Sequence, residues 1–308
     1  MSAPAAVATA VQLVGGIALA PLLPGLVQHW KARLQGRRGP SPLQPYRELA
    51  RLWRKSVVDV EGAGVVYRMA PAVAAASVAA AVLVVPVASD APDLGLGRDA
   101  LVLAGMLALA RFAVAASSWE VSNGFALMGA SRDLTIAVFV EAALVLALAV
   151  AALVSGTTDL VGMIGGTAGT SAWTDPALAL GTVAFGLVVV AETGRQPVDN
   201  PDTHLELTMI HEGPLLEYSG RDLAMLQWAA AARHWLVLVL GAQVFLPHAT
   251  DPWLQLLLLP VVLVVLCGVL ALTETLVAKM RILLAPRLLG VAALAALLGV
   301  VAWLVEAA

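Results

Sequence analysis

Residues 133–150 read DLTIAVFVEAALVLALAV. After Asp133, only Thr135 and Glu141 interrupt a run of aliphatic side chains and one phenylalanine. A helix that crosses a bilayer needs about 20 mostly apolar residues, and this run continues to residue 155. A carboxylate inside such a run is costly in lipid, which makes Glu141 a functional candidate by default. The rest of the chain has the same character. It has 308 residues, of which 60% are hydrophobic and 13% charged, and a mean hydropathy of +0.88. A water-soluble domain carries nearer about 25% charged residues. Lipid is therefore the expected solvent.

Scanning for further apolar runs yields about eight candidate spans, near 5–28, 69–89, 99–117, 133–155, 177–194, 224–247, 253–273 and 286–305. The expected fold is all-α: a polytopic membrane protein occupying 1–308 as one transmembrane domain. No internal repeat is visible, which speaks against a standalone transporter built on inverted repeats. Basic residues sort by side. Lys31, Arg33, Arg37, Arg38, Arg47, Arg51, Arg54, Lys55 and Arg68 fall in the first connection. Arg111 and Arg132 flank the third, Arg195, Arg221 and Arg233 belong to the fifth, and Lys279, Arg281 and Arg287 to the seventh, leaving Arg98 alone opposite. Positive loops stay cytoplasmic, so both termini are expected outside a prokaryotic inner (plasma) membrane crossed many times.

The segment SPLQPYRELARLWRKSVVDVEG (41–62) is too charged to span. Leu43, Tyr46, Leu49, Leu52, Trp53 and Val57 recur at helical spacing, with cations elsewhere on the wheel. This pattern predicts an amphipathic helix lying in the interface, its cationic face toward headgroups or a partner. No nucleic-acid partner is expected.

Other acids lie at the ends of apolar runs: Glu192 in LVVVAETGRQP, Glu274 in VLALTETLVAKM and Glu120 in AASSWEVSNG. Burial makes a carboxylate hold its proton nearer neutral pH, so Glu141 and Glu192 are read as proton-handling groups. Glu120 and Glu274, near an interface, are read as structural partners of arginines. A polar block follows Glu192: AETGRQPVDNPDTHLELTMIHEGPLLEYSG (191–220), with 195–222 as a polar cytoplasmic loop. Pro197 and Pro201 favour turns. From Thr203, THLELTMIHE reads as a helix with Glu206 at capping-box spacing. His204 and His211 share a face but lack i,i+4 spacing and a third ligand, so no metal site is expected. The single cysteine, Cys267, cannot hold an iron–sulfur cluster, which usually takes four.

AETGRQPVDNP (191–201) resembles the signature of the membrane subunit that borders the quinone chamber of respiratory complex I. LEYSG (216–220), SNGFALMGASRDLTIAVFVE (122–141) and QPYRELARLWRK (44–55) resemble further segments of it, in the same order. Within that family, THLELTMIHEGPLLEYSGRDLA (203–224) is more similar to the membrane subunits of formate hydrogenlyase and group 4 nickel–iron hydrogenases. The resemblance implies a subunit that anchors a hydrophilic redox arm and starts a proton path. It implies no cofactor in this chain, with the nickel–iron centre and iron–sulfur clusters in hydrogenase-like large and small subunits, and an antiporter-like membrane subunit as a further partner. By carry-over, Glu141, Glu192, Glu206 and Glu217 mark the proton path. Arg195, Asp199 and Arg221 form either part of that funnel or an ion-pair frame for the loop. His204, His211, Glu212 and Tyr218 are expected to face the arm. No residue is expected to be catalytic. Two alternatives stand beside this reading: the quinone-chamber subunit of an NADH:quinone oxidoreductase, and a purely structural anchor.

Overall fold

A computed structural model describes residues 3–88, 97–121, 123–169, 174–199 and 210–307. Regular structure among them is helical, apart from one isolated bridge between Asp99 and Asp159. Helix α1 (Ala3–Leu13) passes through a π-helical turn, Val14–Leu19, and after a 58° bend the chain continues as α2 (Leu22–Leu34). The break falls at Pro21, whose missing N–H interrupts the hydrogen-bond ladder. Next come α3 (Gln44–Trp53), α4 (Val65–Val84), α5 (Ala100–Val121), α6 (Gly124–Ser155) and the short α7 (Leu160–Gly166). Helix α8 (Pro176–Glu192) leads to the polar loop, which closes with one 3-10 turn at Gly213–Leu215. Then α9 (Gly220–Leu240) extends through a second π-helical turn, and α10 (Pro252–Leu276) and α11 (Ala285–Ala307) complete the bundle.

Polar residues at the edges of the apolar runs set where helices begin. Asn123, Asp159, Asp175 and Asp251 each accept hydrogen bonds from backbone N–H groups of the first turns of α6, α7, α8 and α10. These groups have no partner inside the helix. The outer surface is aliphatic: along α10, Leu257, Val261 and Val265 are exposed at one-turn intervals. Such a stripe suits hydrocarbon.

Six helices among the described residues are long and apolar enough to cross a membrane, and seven if the bent α1–α2 pair counts as one crossing. The expected fifth span is α8, which at 17 residues is shorter than that criterion. Length and composition thus support a polytopic helical protein without reproducing the count of eight. The interfacial segment is helical only over Gln44–Trp53, and Tyr46 ties it to the first broken span by donating to the Ala18 carbonyl at 2.6 Å. The helix expected from Thr203 lies mostly outside the described residues, and its end at 210–212 is a bend. Helices α4, α5, α6, α8 and α9 pack on one another, while α2 packs beside α10. Charges on their inward faces therefore meet.

Candidate functional site

Arg111 lies midway along α5 and is 6% exposed. Its guanidinium reaches three acids. Nη2 donates to Glu192 at 3.0 Å, Nη1 to Glu141 at 3.4 Å, and Nε lies 3.8 Å from Asp133. Glu141 and Asp133 share α6 two turns apart, a spacing that puts both on one face. Glu192, the last residue of α8, also faces Arg233 of α9 at 3.7 Å. Arg233 in turn donates to the Leu107 carbonyl.

A second set joins this cluster to the loop. His211 Nε2 lies 3.6 Å from Asp133, and its Nδ1 lies 3.0 Å from Asp199. Lys279 holds the other Asp199 oxygen at 2.9 Å. The turn that aims Asp199 is local: the N–H groups of Val198 and Asp199 donate to the Arg195 carbonyl, and Met280 N–H donates to Pro197. Burial opposes ionisation of Asp199, but His211 and Lys279 outweigh it and hold its carboxyl well below the usual carboxylate range. Burial likewise disfavours the His211 imidazolium, yet the Asp199 hydrogen bond and the Asp133 charge outweigh that and raise its pKa.

A third set is distinct. Glu274 on α10 is fully buried between Lys31 of α2 and Arg195 of the loop, each 3.0 Å away. This is the structural pairing expected for it. Glu120 accepts from the Tyr67 N–H at 2.6 Å and forms no ion pair with an arginine among the described residues.

A cavity of about 780 Å³ opens beside these groups, lined among others by Arg111, Glu192, His211, Tyr218 and Arg233. His234 also lines it, buried, with its Nε2 lacking a hydrogen-bond partner among the described residues. A cavity of this size with charged and polar groups in a mostly apolar wall admits water at those groups. Among the described residues, no three histidine, cysteine or acidic side chains are grouped as metal ligands.

The sequence-expected residues divide. Glu141, Glu192, Asp199 and His211 come together through Arg111 and Asp133. Arg195 joins Glu274, so it frames the loop through a different acid from Asp199. Arg221 is exposed at the start of α9 and forms no ion pair among the described residues. Glu217 is half-buried and accepts a hydrogen bond from Asn123, away from Arg111. Glu212 lines the cavity. Tyr218, expected to face a partner, points inward instead: it is buried, stacked on Tyr67 with ring centroids 4.5 Å apart, and donates to the Tyr67 carbonyl. Glu206 and His204 lie outside the described residues. The residues missed as members of the site were Arg111, Asp133, Arg233 and Lys279. Arg111 carried a usable signal, a charge deep inside an apolar helix.

Known proteins resemble this chain over most of its length. The family model for NADH dehydrogenase matches residues 7–305. Formate hydrogenlyase subunit 4 of Escherichia coli (strain K12) is 34% identical over 288 residues, covering 90% of this chain and 92% of that protein. Hydrogenase-4 component C of the same organism is 34% identical, covering 80% and 77%. A subunit of the NADH-quinone oxidoreductase of Verminephrobacter eiseniae (strain EF01-2) is 26% identical, covering 78% and 69%. Among solved structures, a chain of the membrane-bound sulfane sulfur reductase, an archaeal respiratory membrane complex, superposes with a TM-score of 0.81 at 19% identity, covering 96% of this chain and 99% of that one. At that identity the likeness concerns the fold.

Proposed function

The chain belongs to the NADH dehydrogenase family, and from that premise we propose that it is the membrane anchor and proton-path subunit of a hydrogenase-type, formate hydrogenlyase-like complex. The observation that carries this reading is the unbroken series of charged groups from loop to mid-helix: Lys279, Asp199, His211, Asp133, Arg111, then Glu192 and Glu141. Arginine does not give up its proton in proteins. Proton exchange in the series therefore falls to His211 and the carboxylates, with Arg111 switching its weight among three acids. A change of charge in the arm above the loop alters the hold of His211 on Asp133. Arg111 then shifts toward or away from Asp133, and Glu141 and Glu192 exchange protons with cavity water. Electron chemistry belongs to partner subunits carrying the nickel–iron centre and iron–sulfur clusters, with an antiporter-like subunit taking up the proton path. The 34% relatives support this branch.

The test pairs assembly with transport. Glu141→Gln, at a side chain 35% exposed, is expected to assemble and to lose most membrane-potential formation. Glu192→Gln is expected to do the same with a less stable complex. Potential formation and turnover unchanged in both variants would overturn the reading. The second reading, a quinone-chamber subunit, draws on the cavity and the 26% relative. Co-purification in mild detergent separates the two: a nickel-bearing large subunit supports the first, NADH-module partners without nickel the second.

A further inference from the structure

We propose that the outward face of α3 is a binding site for the headgroups of anionic phospholipids. Residues 31–55 hold eight of the chain's 18 basic residues and one of its 21 acids, Glu48. Lys31 is spent on Glu274, and Arg51 pairs with Glu48 one turn away. Arg47, Arg54 and Lys55 are exposed and form no ion pair among the described residues. A concavity of about 420 Å³ is lined wholly by Arg47, Ala50, Arg51, Arg54 and Lys55. It presents guanidinium forks and one ammonium, the donors that match phosphate oxygens.

The flanking side chains favour lipid over an acidic protein surface. Trp53 is 57% exposed and Val58 65% exposed, and Leu43 and Val57 are exposed beside the same cations. Apolar and indole groups next to cations suit the headgroup–acyl boundary, where each finds its own medium. Chain connectivity holds the patch at that depth. Helix α2 ends at Leu34 and α4 starts at Val65, with Val65, Val66 and Met69 exposed on the first turns of α4. Tyr46 fixes the inner side of α3 to the first broken span. A basic cluster on an amphipathic helix next to a span attracts anionic lipid. The inference is independent of proton transfer, because it uses none of the groups around Arg111.

The experiment uses the detergent-purified complex carrying this full chain. Native mass spectrometry measures retention of phosphatidylglycerol against phosphatidylcholine at rising salt, for the wild type and for Arg47→Gln/Arg54→Gln/Lys55→Gln. These three side chains are exposed and outside any ion pair among the described residues, so the variant is expected to fold. The expected result is a phosphatidylglycerol preference that weakens with salt and drops roughly tenfold or more in the variant. Equal retention of the two lipids, or an unchanged preference in the variant, would overturn the proposal. So would zero-length cross-links from Lys55 to carboxylates of a partner subunit, which would assign the patch to protein.

Discussion

At the scale of single residues, Arg111 decides the site. One buried guanidinium lies within ion-pair distance of Glu192, Glu141 and Asp133, which come from two other helices. Removing it strands buried carboxylates, so Arg111→Met is expected to cost about 3–5 kcal/mol, read as a lower melting temperature in detergent. Arg111→Lys is expected to restore only part of this, since an ammonium lacks the planar fork. His211 sets a pH dependence. Its pKa is raised in the folded protein, so its stabilising contribution is complete below the unfolded value of about 6.5 and is lost as pH rises through the folded value. Asp199 is depressed. Its contribution is present above about 3.9 and is lost as pH falls toward the folded value. Between these limits the loop is most stable. Melting temperature is expected to fall as pH rises above about 6.5, more steeply in the wild type than in His211→Gln. Parallel profiles would show that His211 keeps its ordinary pKa. Glu141 and Glu192 were legible in sequence because an acid in an apolar run stands out. Arg111 meets the same criterion, but its position near the end of the apolar run 99–117 reads equally well as a cation at a loop edge.

At the scale of elements, a glycine contact joins the loop to α6. A Cβ added to Gly129 would lie 2.7 Å from the Gly213 Cα, and backbone cannot yield there as a flexible side chain would. Gly129→Ala is expected to push the 3-10 turn off α6, drawing His211 from Asp133, at a cost of about 1–3 kcal/mol. Gly105→Ala on the exposed side of α5 meets nothing within 4 Å and is expected to be neutral or to stabilise by up to about 1 kcal/mol. Equal melting temperatures for the two variants would show that the close approach carries no stability. Helix existence was readable from apolar run length, and the start of α6 from Asn123. The break between α1 and α2 had a local cause in Pro21, but its 58° angle and the bend at 210–212 were not readable, because both depend on what the segment packs against.

At the scale of the whole molecule, charge asymmetry predicts an orientation for the bundle. With basic connections inside, Ala307→Cys is expected to react with a membrane-impermeant maleimide in intact cells. Asp59→Cys is expected to react only after permeabilisation. Cys267 is fully buried, so the wild type supplies a silent background. The reverse pattern would invert the topology.

Taken by itself, the sequence determined the apolar solvent, the helical class, an amphipathic segment within 41–62, which the structure narrows to a helix over Gln44–Trp53, and the presence of acids inside apolar runs. These follow from apolar content and periodicity, which are properties of neighbouring residues. Tertiary structure alone decided which charges meet. Arg111 and Glu192 are 81 residues apart, Arg195 and Glu274 79 apart, and Lys279 and Asp199 80 apart. Nothing local selects such partners. A charge in low dielectric must find its opposite wherever helix packing brings one within reach, and that packing is a property of the assembled bundle.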